Sequence, residues 1–388
     1  MKIAIFSDTF PPQTNGVSHA AYLMAKNLAR AGHQVMVFVA AKELKDRPDI
    51  ITDKFQVCYL PSLPAPAYKG ERMVLAPGFS LRRLKEFKPD IIHSHTPFGV
   101  GWEAVLAAKL FKIPLVGTHH TFYDHYLKHI KLDYGWAKKL SWKITIFYYN
   151  FCDLVLSPSQ ALADALASQG LKRPIIVLRN TIDTNLFKPA AGRQDKEISK
   201  NALGVKGDSI CYIGRVSYEK SIDQVVRAFY HMLKQKPDLT LMVAGGGPEK
   251  DNLEKLAKKL GIEKQIIFTG FYKYDDSVVK ILQANEIFLT ASKSENMPLT
   301  VIEAMATGLP LVMVKENGLA ELIKENRNGF FCRTDDPQDM AAKTLALLAD
   351  RKRLAVFGAN SRDLAMDYSE EKITAQLENY YKKLIKEK

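Results

Sequence analysis

The segment Ser294 to Gly308 (SENMPLTVIEAMATG) places two carboxylates, Glu295 and Glu303, on either side of a proline. A strand pattern from Ile287 to Thr290 leads into it, and a helical pattern from Pro298 to Thr307 leads out. Pro298 suits a first helical turn, where a missing N–H costs nothing. The chain from Asn296 through Met297, Pro298, Leu299 and Thr300 then forms a helix mouth whose free N–H groups favour an anion such as diphosphate. Glu295, on the loop ahead of the helix, can accept hydrogen bonds from sugar hydroxyls. Glu303, more than a turn inside, can take both hydroxyls of a ribose. The alternative is a helix with an acidic cap and one solvated glutamate.

A second group is Gly214-Arg215-Val216-Ser217-Tyr218-Glu219-Lys220, at the end of a strand pattern. Arg215 offers a planar fork for phosphate oxygens and Lys220 a point charge. Both would neutralise charge building on a leaving diphosphate. A third is Thr118-His119-His120-Thr121, where imidazoles stand at a strand's end; His95, in SHTPFGVG, is divided between a site role and packing.

The elements that must position these groups alternate strand and helix. Lys2–Ser7, Val35–Ala40, Ile91–His93, Pro114–Thr118, Leu154–Ser157 and Ile175–Leu178 read as strands. Val17–Gly32 reads as a helix, with Val17, Ala21, Met24 and Leu28 at helical spacing and Gly32 as its cap. Asn185–Asp208 is polar and lacks periodicity, so it reads as a linker. Alternation restarts with Ser209–Gly214, Ile222–Leu233, Leu239–Ala244, the turn Gly245-Gly246-Gly247-Pro248, Glu249–Leu260, Ile266–Thr269, Val278–Gln283, Ile287–Thr290 and Leu311–Val314. Such alternation implies parallel sheets closed by right-handed crossovers. The expectation is two doubly wound α/β domains, 1–190 and 205–365, with ligands at the carboxyl edges of their strands, in a cleft. The basic, amphipathic stretch 370–388 is expected to pack back on the first domain. No GxGxxG joins the first strand and helix of either half, which weakens a dinucleotide-binding reading.

The 388 residues are 47% hydrophobic and 25% charged, ordinary globular proportions. The net charge of +13 fits an anionic partner, whether nucleic acid, membrane surface or phosphorylated ligand, or simple solubility. Cys58, Cys152, Cys211 and Cys332 form no CxxC pair, so zinc and thioredoxin-like chemistry lack support. The N-terminus runs straight into a strand and reads as no signal peptide. No long apolar run spans a bilayer. The expected location is cytoplasmic, peripheral on the inner face of the cell membrane.

Glu295 and Glu303, the GR…EK segment, GGGP and Thr269-Gly270-Phe271 together resemble the donor half of retaining glycosyltransferases of family 4, with the GT-B fold. Asn15-Gly16-Val17, SHTPFGVG at 94–101 and THHTFY at 118–123 extend the resemblance over essentially the whole chain. It implies that Glu295 holds the donor sugar and Glu303 the ribose. It also implies that Arg215 and Lys220 hold the diphosphate, that Phe271 lies by the base and that Gly246 belongs to the donor site. Gly16, in the loop after the first strand, would let the chain approach the donor phosphate. His120, rather than His119, would contact the donor sugar and support the transition state. Where relatives often have Gly-Xaa-Pro after the first glutamate, this chain has Asn296-Met297-Pro298, which raises the question of the backbone angle at 296. The implied chemistry is retaining, with no cofactor and no metal, since helix N–H groups and two cations replace a divalent ion.

The stretch Phe122–Tyr149 interleaves lysines 128, 131, 138, 139 and 143 with aromatics and leucines. It can lie on an anionic bilayer, each lysine contributing roughly 1 kcal/mol, or simply cover the core as a solvated helix. HisThrPheTyr followed by Asp124-His125-Tyr126 resembles lipid glucosyltransferases that use diacylglycerol. The expected reaction is hexose transfer, UDP-glucose first, to a lipid acceptor. Rivals are a family 4 transferase with a soluble or polysaccharide-precursor acceptor or a GDP-mannose donor, a sugar-nucleotide 2-epimerase, and a non-catalytic binder. Nucleic acid finds no support, and the oligomeric state is not readable.

Overall fold

The computed structural model describes residues 1–13, 15–41, 50–51, 55–64, 72–74, 77–123, 134–271 and 276–388. It divides into two compact units. Unit 1 is Met1–Thr181 with Glu370–Lys388, and unit 2 is Ile182–Ser369.

The strands of unit 1 are β1 (Lys2–Ser7), β2 (Gln34–Ala40), β3 (Ile50–Ile51), β4 (Gln56–Leu60), a small pair β5 (Leu63–Pro64) and β6 (Arg72–Met73), then β7 (Ile91–Ser94), β8 (Leu115–Thr118), β9 (Leu154–Ser157) and β10 (Ile175–Val177). Its main sheet has the order β10-β9-β8-β7-β1-β2-β4-β3. Ile3 to Phe6 are fully buried, because a parallel strand covered on both faces has no solvent side to alternate toward. The helices are α1 (Gly16–Arg30), α2 (Leu81–Phe87), α3 (Gly99–Phe111), α4 (Gly135–Tyr149) and α5 (Gln160–Ser168). The side chain of Asn15 caps α1 by accepting from the Ser18 N–H at 2.8 Å. Gly16 is therefore the first residue of that helix rather than part of the loop before it.

Unit 2 contains α6 (Arg193–Ala202), β11 (Ser209–Ile213), α7 (Ile222–Leu233), β12 (Thr240–Ala244), α8 (Lys250–Leu260), β13 (Ile266–Gly270), α9 (Asp276–Gln283), β14 (Ile287–Thr290), α10 (Leu299–Ala306), β15 (Leu311–Val314), β16 (Gly329–Cys332), α11 (Pro337–Ala349) and α12 (Arg351–Ala365). Its sheet, β13-β12-β11-β14-β15-β16, is parallel throughout. The chain then returns to unit 1 as α13 (Glu370–Lys386). Ile373, Leu377 and Tyr381 of α13 are buried, and Glu370 pairs with Arg30 of α1 at 3.1 Å.

The stretch read as a linker holds α6. Ionic contacts rather than an apolar stripe anchor this helix. Lys200 Nζ lies 2.8 Å and Lys196 Nζ 3.1 Å from Glu286 Oε1, and Glu286 Oε2 accepts from the Ser209 N–H at 2.6 Å. The boundary also falls earlier than 190. Ile182 N–H donates to Tyr368 O at 2.8 Å, Arg362 donates to the carbonyls of Thr184 and Phe187, and Phe187 is buried in the core of unit 2.

Candidate active site

Counting only the parallel strands of each main sheet, which leaves out the short antiparallel edge strand β3, both sheets run 3-2-1-4, so the strand order reverses beside the first strand. In open α/β sheets that reversal leaves a crevice at the carboxyl ends of the two strands, where ligands bind. In unit 2 the reversal lies between β11 and β14. Arg215 and Lys220 follow β11, and Glu295 follows β14. The structure brings them together: Lys220 Nζ donates to Glu295 Oε1 at 2.6 Å, spanning the reversal, with both side chains largely buried. Arg215 is exposed and forms no ion pair among the described residues.

Pro298 is the N-cap of α10, one position ahead of the first helical turn, with extended backbone at φ −71°, ψ 123°. No side chain caps this helix, so its mouth keeps the anion-favouring character expected of unsatisfied N–H groups. Asn296 is not among the described residues with positive φ; the position needs no glycine, and the departure from Gly-Xaa-Pro leaves no strain there. The loop is held from behind. Asn317 Nδ2 donates to Lys293 O at 2.8 Å, and Gly318 sits so close that a Cβ on it would lie 1.3 Å from the Asn296 carbonyl. Met297 and Leu299 are buried, Thr300 is half-buried, and Glu303 is 1% exposed inside the helix.

The glycine turn after β12 packs backbone on backbone. A Cβ on Gly245 would lie 1.9 Å from Gly214 O, and one on Gly247 2.1 Å from Val216 O. At Gly246 a Cβ would meet the Phe271 ring at 2.4 Å. Phe271 is 80% exposed, so an aromatic face stands at the surface beside a glycine that leaves room for it.

Unit 1 assembles a different chemistry at its own reversal, between β1 and β7. His120 Nε2 and His95 Nδ1 share a hydrogen bond at 2.9 Å, their rings stacked at 5.1 Å. His95 stacks in turn on His93 at 4.7 Å. His93 reaches Thr118 Oγ1 at 2.6 Å and the Tyr381 hydroxyl of α13 at 2.5 Å. Burial pushes His120 down to about 4 and, aided by the repulsion two protonated rings would feel beside His120, pushes His93 and His119 to about 3. Burial and the same neighbours carry His95 well below its ordinary value. These imidazoles are neutral at physiological pH, so His120 can give or take a hydrogen bond but carries no charge.

Sequence reasoning missed Asp8, just past β1. It accepts from Thr96 Oγ1 at 2.5 Å and from the Val100 N–H at 3.0 Å, tying the end of β1 to the mouth of α3. It also missed the His93–His95–His120 stack. The strand order that makes β1, β7 and β8 neighbours was the signal needed for both. Among the described residues nothing lies within 4 Å of where a Cβ on Gly16 would stand, so no contact among them requires a glycine there.

Comparison with known proteins covers both units. Residues 14–186 match the model of Glycosyltransferase Family 4, and residues 193–364 match that of Glycosyl transferases group 1. The chain is 29% identical over 85% of its length to the alpha-monoglucosyldiacylglycerol synthase of Streptococcus pneumoniae, covering 74% of that protein. It is 27% identical over 99% to the enzyme of the same name from Acholeplasma laidlawii, covering 98% of it. The GDP-mannose-dependent alpha-mannosyltransferase of Mycobacterium tuberculosis is 24% identical, with 93% of this chain and 92% of that one aligned. Among solved structures, Anabaena Alr3699/HepE in complex with UDP superposes with TM-score 0.78 at 20% identity, over 99% of this chain and 100% of the other. The two sheets are thus the Rossmann-like sheets of the GT-B fold, and the chain belongs to the family 4 glycosyltransferases, the glycosyl transferases group 1.

Proposed function

We propose that the protein transfers a hexose, glucose from UDP-glucose first, to a lipid hydroxyl such as that of diacylglycerol at an anionic membrane surface, with retention and without a metal. The observation that carries the donor half is the Lys220–Glu295 pair spanning the reversal of unit 2. Lys220, Arg215 and the mouth of α10 from Met297 to Thr300 stabilise the diphosphate as it leaves. Glu295 orients the sugar hydroxyls, Glu303 the ribose, and Phe271 faces the base beside Gly246. Gly16 leaves room for the donor phosphate. His120, neutral, contacts the transferred sugar. In the reaction the bond from the anomeric carbon to the phosphate oxygen breaks, and the acceptor oxygen bonds on the same face. The acceptor proton passes to the departing phosphate, so no carboxylate nucleophile is needed.

The lipid half rests on α4 and on the relatives' substrates. Trp136, Leu140, Ile144 and Phe147 recur at helical spacing and are 62%, 48%, 54% and 59% exposed. An apolar stripe of that size turned to solvent needs a partner. Lys139 and Lys143 are exposed on the same helix and Lys138 is half-buried, a combination suited to the headgroup level of an anionic bilayer. On α3 the exposed Leu110 continues the apolar character, and Trp102 packs 5.9 Å from Phe147. Lys128, Lys131 and Asp124-His125-Tyr126 lie outside the described residues. Among the described residues no helix is long and apolar enough to cross a membrane.

The test is transfer of labelled glucose from UDP-glucose to diacylglycerol in mixed micelles, with and without a chelator. The expected product is an α-glucosyl lipid at a rate the chelator leaves unchanged. Transfer only to soluble acceptors, transfer only from GDP-mannose, or epimerisation of UDP-GlcNAc without acceptor would each replace this reading with its rival.

A further inference from the structure

Asn27 stands in the interior of α1, 5% exposed, and among the described residues neither its Nδ2 nor its Oδ1 has a hydrogen-bond partner. Thr181, at the end of unit 1, is 9% exposed, and its Oγ1 has none either. Both residues line one small cavity, of about 30 Å³, together with Thr118, His120, Thr374 and Leu377. Buried polar atoms in proteins are almost always satisfied, by protein or by ordered water. A water needs roughly 10–15 Å³ of such space and two to four polar neighbours. This cavity meets both conditions. One wall of it is α13, so the last helix of the chain helps form a chamber with a mostly apolar lining and a few polar groups beside His120.

We propose that this chamber holds one ordered water, bound by Asn27 and Thr181 against His120, and that Asn27 is thereby a positioning residue for transfer. Asn27 can both donate and accept, and Thr181 can do the same, so one water satisfies the orphaned atoms of both. The ring of His120 is already fixed on one side by His95. The water supplies a further constraint on a neutral imidazole, whose use depends on where its nitrogens point. Its effect on rate rests on the role given to His120 above; the presence of the water does not.

Asn27→Leu replaces the amide with a side chain of similar size and no polar atoms, and Thr181→Val removes only the hydroxyl. The expected result is a roughly tenfold fall in kcat for Asn27→Leu and a smaller one for Thr181→Val, with the KM for the nucleotide sugar within twofold of wild type. The double variant should be no worse than Asn27→Leu alone, because both act through one molecule. A crystal structure of the wild-type protein at high resolution should show a single water within hydrogen-bond reach of Asn27 and Thr181. A dry chamber, or additive losses accompanied by a raised KM, overturns the proposal. The crystallographic arm stands even if the chain transfers no glucose, so failure of the functional reading is distinguishable from failure of this one. If Asn27→Leu does not fold, Thr181→Val and the crystal structure still decide.

Discussion

Units 1 and 2 share the strand order around their reversal and furnish it with opposite chemistry. Unit 2 places cations, a carboxylate and bare backbone there: Arg215, Lys220, Glu295 and the mouth of α10. Unit 1 places neutral, buried rings there: His120 on His95 on His93, with Tyr381 behind. A shared crevice geometry therefore fixes where a ligand binds but not what binds. Charge suits a diphosphate that gains charge as it leaves, whereas an uncharged imidazole suits hydroxyls whose charge does not change.

The sharpest way to break this contrast is in unit 2. Glu295→Ala should lower transfer at least 1000-fold with the melting temperature nearly unchanged, and Lys220→Ala should lower it ~100- to 1000-fold, the usual effect of removing one preorganised partner. Steady-state kinetics checks both. Wild-type-like turnover in either variant removes the pair from the chemistry.

Acid should separate the units next. His93, His119 and His120 have native values of about 3 to 4 against an ordinary 6.5, and burial with Lys26 nearby puts His19 at about 4. The unfolded chain takes up protons that the native unit refuses, so this stability is full above pH 6.5. It drains as pH falls toward 4 and then 3, on the order of 3–5 kcal/mol for each ring. Unit 2 behaves differently. Burial opposes ionisation of Asp208, but hydrogen bonds from Arg351 and Lys236 win and hold it below the ordinary carboxylate value. That contribution persists down to the carboxylate range. Calorimetry at pH 7 and pH 5 should show the unit 1 transition falling while that of unit 2 holds; equal shifts would erase the distinction.

These two predictions draw on residues that were unequally legible in the sequence. Strands Lys2–Ser7, Leu154–Ser157, Ile287–Thr290 and Leu311–Val314 match the structure residue for residue, because buried parallel strands are continuous apolar runs between turn signals. Arg215, Lys220 and Glu295 were legible because they sit in short local motifs. Helix α6 was not, since Lys196 and Lys200 hold it through Glu286, which lies far along the chain. Pro298 was placed one position too deep: it is the N-cap, and the first helical residue is Leu299. Asp8 and the histidine stack depend on which strands become neighbours, and the division at Thr181 depends on Arg362 reaching back to Thr184.

Smaller effects sharpen the account. Gly246→Ala puts a methyl into the Phe271 ring, so the KM for the donor should rise about tenfold with kcat little changed; an unchanged KM would detach Phe271 from the base. Lys138→Glu with Lys139→Glu should reduce binding to anionic vesicles several-fold in co-sedimentation while hydrolysis of the donor is kept. Undiminished binding would place the docking surface elsewhere than α4.

The most direct measurement is a crystal structure of the protein with UDP-glucose. The account predicts phosphate oxygens within hydrogen-bond reach of the Arg215 guanidinium, the Lys220 ammonium and the backbone N–H groups at 299 and 300. Phosphates lodged away from all of these, however well the sugar were ordered, would contradict it.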